Sequence, residues 1–64
     1  MNILVVDKDK EEYIFKELPR RYLKAGNFWI SKEGSEQFGI LLKRGSIKKM
    51  IDKDLTWTDE PFKY

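Results

Sequence analysis

The sequence contains neither histidine nor cysteine among its 64 residues. The chain therefore lacks the most common general base, the most common zinc ligands and the nucleophiles that a histidine activates. No disulfide can support a domain of this size, which buries only about 60% of the surface that its unfolded chain exposes. These absences predict that the protein is not an enzyme and that it has no catalytic residue, metal site or cofactor.

Acidic residues between the first two apolar segments are the remaining candidates for chemistry. They are Asp7, Asp9, Glu11 and Glu12. We expect them to lie in a solvated hairpin loop, where nothing raises a carboxyl pKa towards neutrality. A calcium-binding EF-hand loop requires Gly at its sixth position and Glu at its twelfth, but Glu12 and Leu18 stand there instead. The sequence thus predicts no metal site in this segment.

Long apolar runs are also absent. The longest aliphatic run, Ile3 to Val6, is far shorter than the roughly 20 residues that a membrane-spanning helix needs. The first ten residues have neither the basic region nor the small-residue cleavage pattern of a secretion signal. We therefore expect no membrane association and a cytoplasmic location, which the absence of cysteine fits.

Aromatic residues are abundant for a chain of this length. Four Phe, three Tyr and two Trp supply the apolar area that a small core needs. Apolar residues make up 41% of the chain, and their patterning argues against disorder although 38% of the residues are charged. We predict one folded domain spanning residues 1–64, which a homodimer would stabilise further.

The N-terminal apolar pattern predicts a β-hairpin. Residues 2–6 do not alternate between apolar and polar types, which indicates a strand that is covered on both faces. Residues 12–18 form a second strand with Tyr13 and Phe15 on one face and Ile14 on the other. We expect these two strands to pair antiparallel.

The middle of the chain predicts a second hairpin. Segments 27–32 and 37–43 alternate like strands and are separated by the Gly-containing reversal 33–36. The predicted core lies on one face of these strands and consists of Phe28, Ile30, Phe38, Ile40 and Leu42. Before this hairpin, Pro19 and Gly26 predict a short helical turn or, alternatively, a turn-rich connector, with Tyr22 and Leu23 facing inward.

The C-terminal third predicts one helix followed by a tail that returns to the sheet. Ser46 is the expected N-cap of a helix within residues 45–55. Its apolar stripe consists of Ile47, Met50, Ile51 and Leu55. In the tail, Trp57 and Phe62 are expected to pack back onto the sheet. The predicted fold is therefore α+β, a small antiparallel sheet of about four strands with one helix near the C-terminus. A partly open SH3-like barrel is the alternative.

Basic residues cluster in two segments of a chain whose net charge is only +2. Residues 19–32 carry +4 with no acid, and residues 43–53 also carry a net charge of +4. The predicted second hairpin would bring the two segments to the same end of the sheet. Lys48 and Lys49 are expected in the first helical turn, where the helix dipole disfavours cations. Free amides at that helix start would suit a phosphate or carboxylate.

Trp29 decides between two uses of this surface. If it is exposed beside Gly39, it can stack on a nucleic-acid base; if it is buried, it forms a second layer of the core. The predicted partner-binding residues combine the two basic segments with two aromatic side chains. They are Arg20, Arg21, Tyr22, Lys24, Trp29, Lys43, Arg44, Lys48 and Lys49.

Two functions fit these residues. The first is a stand-alone regulator or inhibitor that binds another protein, in the style of the small accessory proteins of phages and mobile elements. Trp, Tyr and Arg favour it because they are enriched at binding hot spots. The alternative is a small nucleic-acid-binding module, for which a net charge of +2 is modest. A structural role in a larger assembly ranks third, and a protein is the predicted partner.

Overall fold

The computed structural model describes residues 2–23, 28–31 and 39–64. Within these ranges the chain forms six strands and one short helix. The elements in chain order are β1 (Ile3–Val6), β2 (Glu12–Phe15), β3 (Pro19–Tyr22), β4 (Phe28–Ser31), β5 (Ile40–Leu42), α1 (Ser46–Ile51) and β6 (Phe62–Lys63). No helix in the described part of the chain is long and apolar enough to cross a membrane.

The strands form an antiparallel four-stranded sheet and a separate two-stranded ribbon. The order in the larger sheet is β5-β2-β1-β6, and β3 pairs with β4 in the ribbon. The sheet is open, with β5 and β6 at its two edges. The α+β fold is therefore confirmed, whereas the alternative of an SH3-like barrel is not supported because the described strands do not close.

Strand β1 forms the centre of the fold, as its uninterrupted apolar sequence predicted. Ile3 and Val5 face one side of the sheet, where they pack with Phe15 and Trp29. The opposite side carries a second cluster, whose buried members are Leu4, Val6 and Ile47. A strand with apolar residues at successive positions requires a cover on both faces, because neighbouring side chains point in opposite directions.

The predicted hairpin and its facing residues are confirmed. Ile3 pairs with Phe15, and Val6 pairs with Glu12. Tyr13 packs against the first cluster while Ile14 packs against the second, as their alternation predicted.

Helix α1 covers the second face of the sheet. Ile47 is buried, and Met50 and Ile51 pack against its cluster, which confirms the helical part of the predicted stripe. The helix ends at Ile51, so Leu55 packs there from the segment that follows the helix. The predicted N-cap is wrong by one residue, because Gly45 occupies that position with a φ of 94°. Ser46 already belongs to the helix, and its hydroxyl donates a hydrogen bond to the Lys43 carbonyl at 2.5 Å.

The C-terminal tail returns to the sheet, as predicted. Trp57 packs against the first cluster, and Phe62 packs against the second. In β6, Phe62 pairs with Leu4 of the central strand. The backbone N–H of Tyr64 donates to the Asn2 carbonyl at 2.7 Å. The last residues thereby complete one edge of the sheet.

The predicted second hairpin is wrong. Strand β4 pairs with β3, whereas β5 pairs with β2 in the other sheet. Consequently Ile40 is 63% exposed and is not a core residue, although Leu42 does pack against the second cluster. Phe38 and the side chains of Phe28 and Ile30, which complete the predicted core, lie outside the described residues.

The segment that begins at Pro19 is a strand and not a helical turn or a turn-rich connector. Pro19 occupies the first position of β3, where strands tolerate a residue that has no N–H to donate. Leu23 follows the strand and is 68% exposed, so its predicted inward orientation is wrong. The side chain of Tyr22, together with Gly26, lies outside the described residues.

Candidate functional site

Arg21 of the first basic segment links β3 to the C-terminal tail. Its guanidinium carbon lies 4.7 Å from the ring centroid of Trp29 and 5.5 Å from that of Trp57. Its Nε donates to the Trp57 carbonyl at 3.1 Å, and its Nη2 donates to the Asp59 carbonyl at 2.8 Å. The guanidinium therefore donates to two carbonyls while it lies within cation–π distance of two indoles, a combination that lysine cannot reproduce.

Trp29 is a core residue and not an exposed stacking surface. Only 4% of it is exposed, and its Nε1 donates to the Val6 carbonyl at 2.8 Å. Its ring meets that of Trp57 edge to face, with the centroids 5.6 Å apart. A nucleic-acid base cannot stack on this indole without opening the first cluster. The stacking role considered for Trp29 is therefore excluded in this conformation.

The start of helix α1 already holds a carboxylate of the same chain. The Glu12 oxygens accept the backbone N–H of Gly45 at 2.7 Å and the backbone N–H of Ile47 at 2.8 Å. The anion that the sequence predicted for this helix start is thus Glu12, because the register of β2 beside β5 places it there. A phosphate of a partner would have to displace it.

The two helix lysines lie in the last turn of a six-residue helix. They are also its third and fourth residues, so their predicted position in the first turn holds, and any cost at the helix start is opposed by the favourable effect of a cation near the helix C-terminus. Lys48 also approaches Asp52 at 4.0 Å, one turn further along the chain. Lys49 is exposed.

Arg44 of the second basic segment forms hydrogen bonds with the loop between β1 and β2. Its Nε and Nη2 donate to the same oxygen of Glu11, at 2.9 Å and 2.5 Å, and Nη2 also donates to the Asp9 carbonyl at 3.0 Å. The Arg44 side chain nevertheless keeps 61% of its surface exposed. Solvent therefore screens this pair more than it screens Arg21.

The loop between β1 and β2 is built around Asp7. This residue is only 6% exposed, and its Oδ1 accepts the backbone N–H groups of Asp9 and Glu11, both at 3.0 Å. The expectation of a fully solvated acidic loop is therefore wrong for Asp7 and for the engaged carboxylates of Glu11 and Glu12. Burial, and then the carboxylates of Asp7, Glu11 and Asp9, raise the pKa of Tyr13 above its usual value, so the phenol stays neutral near pH 7.

Among the described residues, Arg21 of the first basic segment and the helix that carries Lys48 and Lys49 of the second lie on opposite sides of the sheet. Arg21 belongs to the side of the sheet that carries Trp29 and Trp57, whereas α1 covers the opposite side. Arg20, Lys43, Lys48 and Lys49 are exposed, and Lys24 lies outside the described residues. The predicted convergence depended on the second hairpin and is lost with it.

A cavity of about 470 Å³ separates the loop between β1 and β2 from residues 54–57. Its lining mixes two lysines, Lys8 and Lys10, with the carboxylates of Asp7, Glu12 and Asp54. The carboxylates of Asp7 and Glu12 already accept hydrogen bonds from the backbone of this chain. The lining thus carries charges of both signs and favours neither anions nor cations.

One edge of the sheet carries exposed apolar side chains that we did not predict from the sequence. Packing within the fold does not account for their presence. Ile40 and Leu41 are neighbours in the edge strand β5 and are 63% and 58% exposed, respectively. Lys43 follows them and is also exposed. We call these three residues the β5 edge. The available signal was the apolar triplet of residues 40–42. The hairpin prediction assigned Ile40 and Leu42 to the core, and Leu41 was not among the predicted core residues.

Gly39 connects this edge to the first cluster. A Cβ at this position would lie 2.5–2.9 Å from three ring carbons of Phe15, closer than side-chain contacts allow. Because Phe15 is buried, its ring has little room to move aside. Glycine thus lets the chain entering β5 cross directly over the Phe15 ring.

Comparisons of the chain with protein-family models, with curated protein sequences and with solved structures gave no match. Function is therefore inferred from the geometry of the described residues.

Proposed function

We propose that this chain is a small non-enzymatic regulator or inhibitor that acts in the cytoplasm by binding another protein through the β5 edge. The observation that carries the proposal is the exposure of two neighbouring aliphatic residues, Ile40 and Leu41, on a terminal strand. Native proteins usually protect edge strands with charges, prolines or very short lengths. Exposed apolar residues at an edge instead favour contact with a partner.

The structure supports a protein partner better than a nucleic acid. The nucleic-acid alternative relied on Trp29 for stacking and on the seven predicted cations of the two basic segments for phosphates. These cations are Arg20, Arg21, Lys24, Lys43, Arg44, Lys48 and Lys49. Trp29 is buried, and Arg21 and Arg44 donate to acceptors of the same chain. The exposed cations that remain are Arg20, Lys43, Lys48 and Lys49. Lys48 and Lys49 lie on α1, Lys43 lies between β5 and α1, and Arg20 lies on β3 in the other sheet. None of them is accompanied by an exposed aromatic ring among the predicted residues that the structure describes, whereas single-strand binders combine cations with such rings.

Site-specific photo-crosslinking tests this proposal. A benzophenone side chain is placed at Leu41 in the full chain, expressed in the cells that encode it, and the same group is placed at Leu23 as the control. Leu23 is a suitable control because it is equally apolar and 68% exposed but lies outside the β5 edge. We expect one discrete protein adduct at position 41, none at position 23, and loss of the adduct in Ile40→Thr.

Threonine is chosen at position 40 because it retains the strand preference of isoleucine while removing apolar surface. Circular dichroism of Ile40→Thr checks that the fold is unchanged. The same adducts at both positions, or none at position 41, would contradict the proposal. Oligonucleotide binding that weakens steeply between about 50 and 200 mM salt, and that is lost in Lys48→Glu with Lys49→Glu, would favour the nucleic-acid alternative.

A further inference from the structure

We propose that the β5 edge binds an extended, acidic segment of its partner as an additional antiparallel or parallel strand of the sheet. This inference rests on the proposed function and specifies the partner's conformation and charge. Among the described residues, β2 is the only strand that neighbours β5. The outer backbone groups of β5 are therefore in position to pair with another chain, the arrangement that peptide-binding sheets use.

The other edge of the same sheet shows what a protected edge looks like in this protein. Strand β6 is only two residues long and carries the exposed Lys63. Its end is joined to the N-terminal residues by the hydrogen bond from Tyr64 to Asn2. Short length and charge both discourage the addition of a strand. Strand β5 is only one residue longer and is followed by Lys43, but it differs from β6 in having three successive aliphatic residues, two of them exposed.

The two exposed side chains lie on opposite faces of the strand. Ile40 and Leu41 are consecutive residues, and successive side chains of a strand point to opposite faces. A partner that covered one face of the sheet would contact only one of them. A strand added at the edge places its own side chains beside both. The exposure of both residues therefore favours strand addition over docking on a face.

The charge around the β5 edge selects an acidic partner. Residues 39–51 contain four cations and no acid. Glu11 pairs with Arg44, and Asp52 lies near Lys48, but Lys43 and Lys49 have no ion-pair partner among the described residues. Acidic side chains beside the added strand would complement them. A second copy of this chain would instead bring the same cations, so we assign the edge to a different, acidic protein.

Peptide selection on the intact chain tests the inference. Random twelve-residue peptides are displayed, selected on the immobilised full-length protein, and then measured by fluorescence anisotropy. We expect the selected peptides to combine β-branched or aromatic residues with Asp or Glu. We expect Lys43→Glu to weaken their binding by about tenfold or more because it replaces attraction with repulsion. Lys63→Glu, the matched substitution on β6, should leave binding unchanged.

Backbone methylation of a selected peptide then tests whether it binds as a strand. In a strand at the edge of a sheet, alternate N–H groups point towards the neighbouring strand. N-methylation of one alternating set of residues should therefore abolish binding, whereas methylation of the other set should leave most of it. Equal tolerance of both sets would contradict strand addition, as would selected peptides without acidic residues.

The outcomes separate this inference from the proposed function. If the peptides fail these tests but position 41 still crosslinks a protein specifically, the protein-binding proposal stands and strand addition is wrong. If neither peptide binding nor crosslinking occurs, both proposals fail. Sedimentation that shows a dimer disrupted by Leu41→Thr would identify a second copy as the occupant and overturn the assignment to an acidic partner.

Discussion

The two basic segments of this chain look alike in sequence but act differently in the fold. Arg21 in the first segment lies on two indoles and donates to two backbone carbonyls. Arg44 in the second segment pairs with Glu11 while most of its side chain remains in water. Stacking on rings in a half-buried site strengthens a cation's contacts, whereas solvent screens an exposed ion pair. Similar local charge therefore implies neither a similar contribution to stability nor a shared binding role.

The largest effect should come from removing the stacked arginine. We expect Arg21→Ala to lower the free energy of unfolding by about 3 kcal/mol, because it removes cation–π contacts and two charge-assisted hydrogen bonds. Arg21→Lys should recover only part of this loss, since an ammonium cannot lie flat on the rings and reach both carbonyls. Urea unfolding followed by tryptophan fluorescence measures both changes. If Arg21→Lys unfolds with the same free energy as the wild type, a positive charge at position 21 is sufficient for stability and the guanidinium geometry is not needed.

A smaller loss of stability is expected from removing Glu12, whose carboxylate accepts two backbone N–H groups of the second basic segment. Glu12→Ala should lower the free energy of unfolding by about 2 kcal/mol, because the amides of Gly45 and Ile47 lose their charged acceptor. Glu12→Gln should retain part of the stability, since its side-chain oxygen still accepts one hydrogen bond. Circular dichroism during urea unfolding provides the measurement. Glu12→Ala with unchanged stability would mean that the helix start needs no carboxylate.

A weaker and salt-sensitive effect is expected at Arg44. Arg44→Ala should cost only about 0.2–1 kcal/mol because the ion pair with Glu11 is largely exposed. Added salt should reduce the difference between the variant and the wild type, whereas the difference for Arg21→Ala should change little. Thermal unfolding at low and high ionic strength compares them. An Arg44→Ala loss as large as that of Arg21→Ala would remove the contrast between the two segments.

The smallest effect on stability is expected at Lys49. It is exposed and has no ion-pair partner among the described residues, so Lys49→Ala should leave the unfolding midpoint unchanged. The same variant should weaken the binding of the selected acidic peptides, since it removes one of the two cations of residues 39–51 that have no ion-pair partner among the described residues. A clear shift of the midpoint would assign this lysine to the fold and not to the binding surface.

Elements with a strong local pattern were predictable from the sequence, whereas strand partners were not. The apolar run of β1 and the stripe of α1 appear in the fold as expected. The pairing of β5 failed because a Gly-containing reversal between two alternating segments favours a hairpin on local grounds. In the fold, β5 pairs with β2 instead. The local sequence of β5 does not specify which neighbouring strand it pairs with.

The candidate site was predicted less well for the same physical reason. Five of the nine predicted residues are exposed cations, namely Arg20, Lys43, Arg44, Lys48 and Lys49. Arg44 pairs with Glu11, and the other four remain candidates for partner contact. Arg21 and Trp29 form structural contacts instead. Ile40 was predicted in the core, and Leu41 was not a predicted site residue. Exposure depends on which strand lies beside each side chain, which periodicity alone does not specify.

The sequence by itself determined the central strand covered on both faces, the helix stripe and the return of the tail, because hydrophobic periodicity acts between residues close along the chain. Only the tertiary structure decided which charges remain free and which apolar residues stay exposed. Arg21 reaches the Trp57 carbonyl across 36 residues, and Glu12 reaches the Ile47 amide across 35. Contacts over such separations depend on strand order, because folding brings together groups that no local pattern relates.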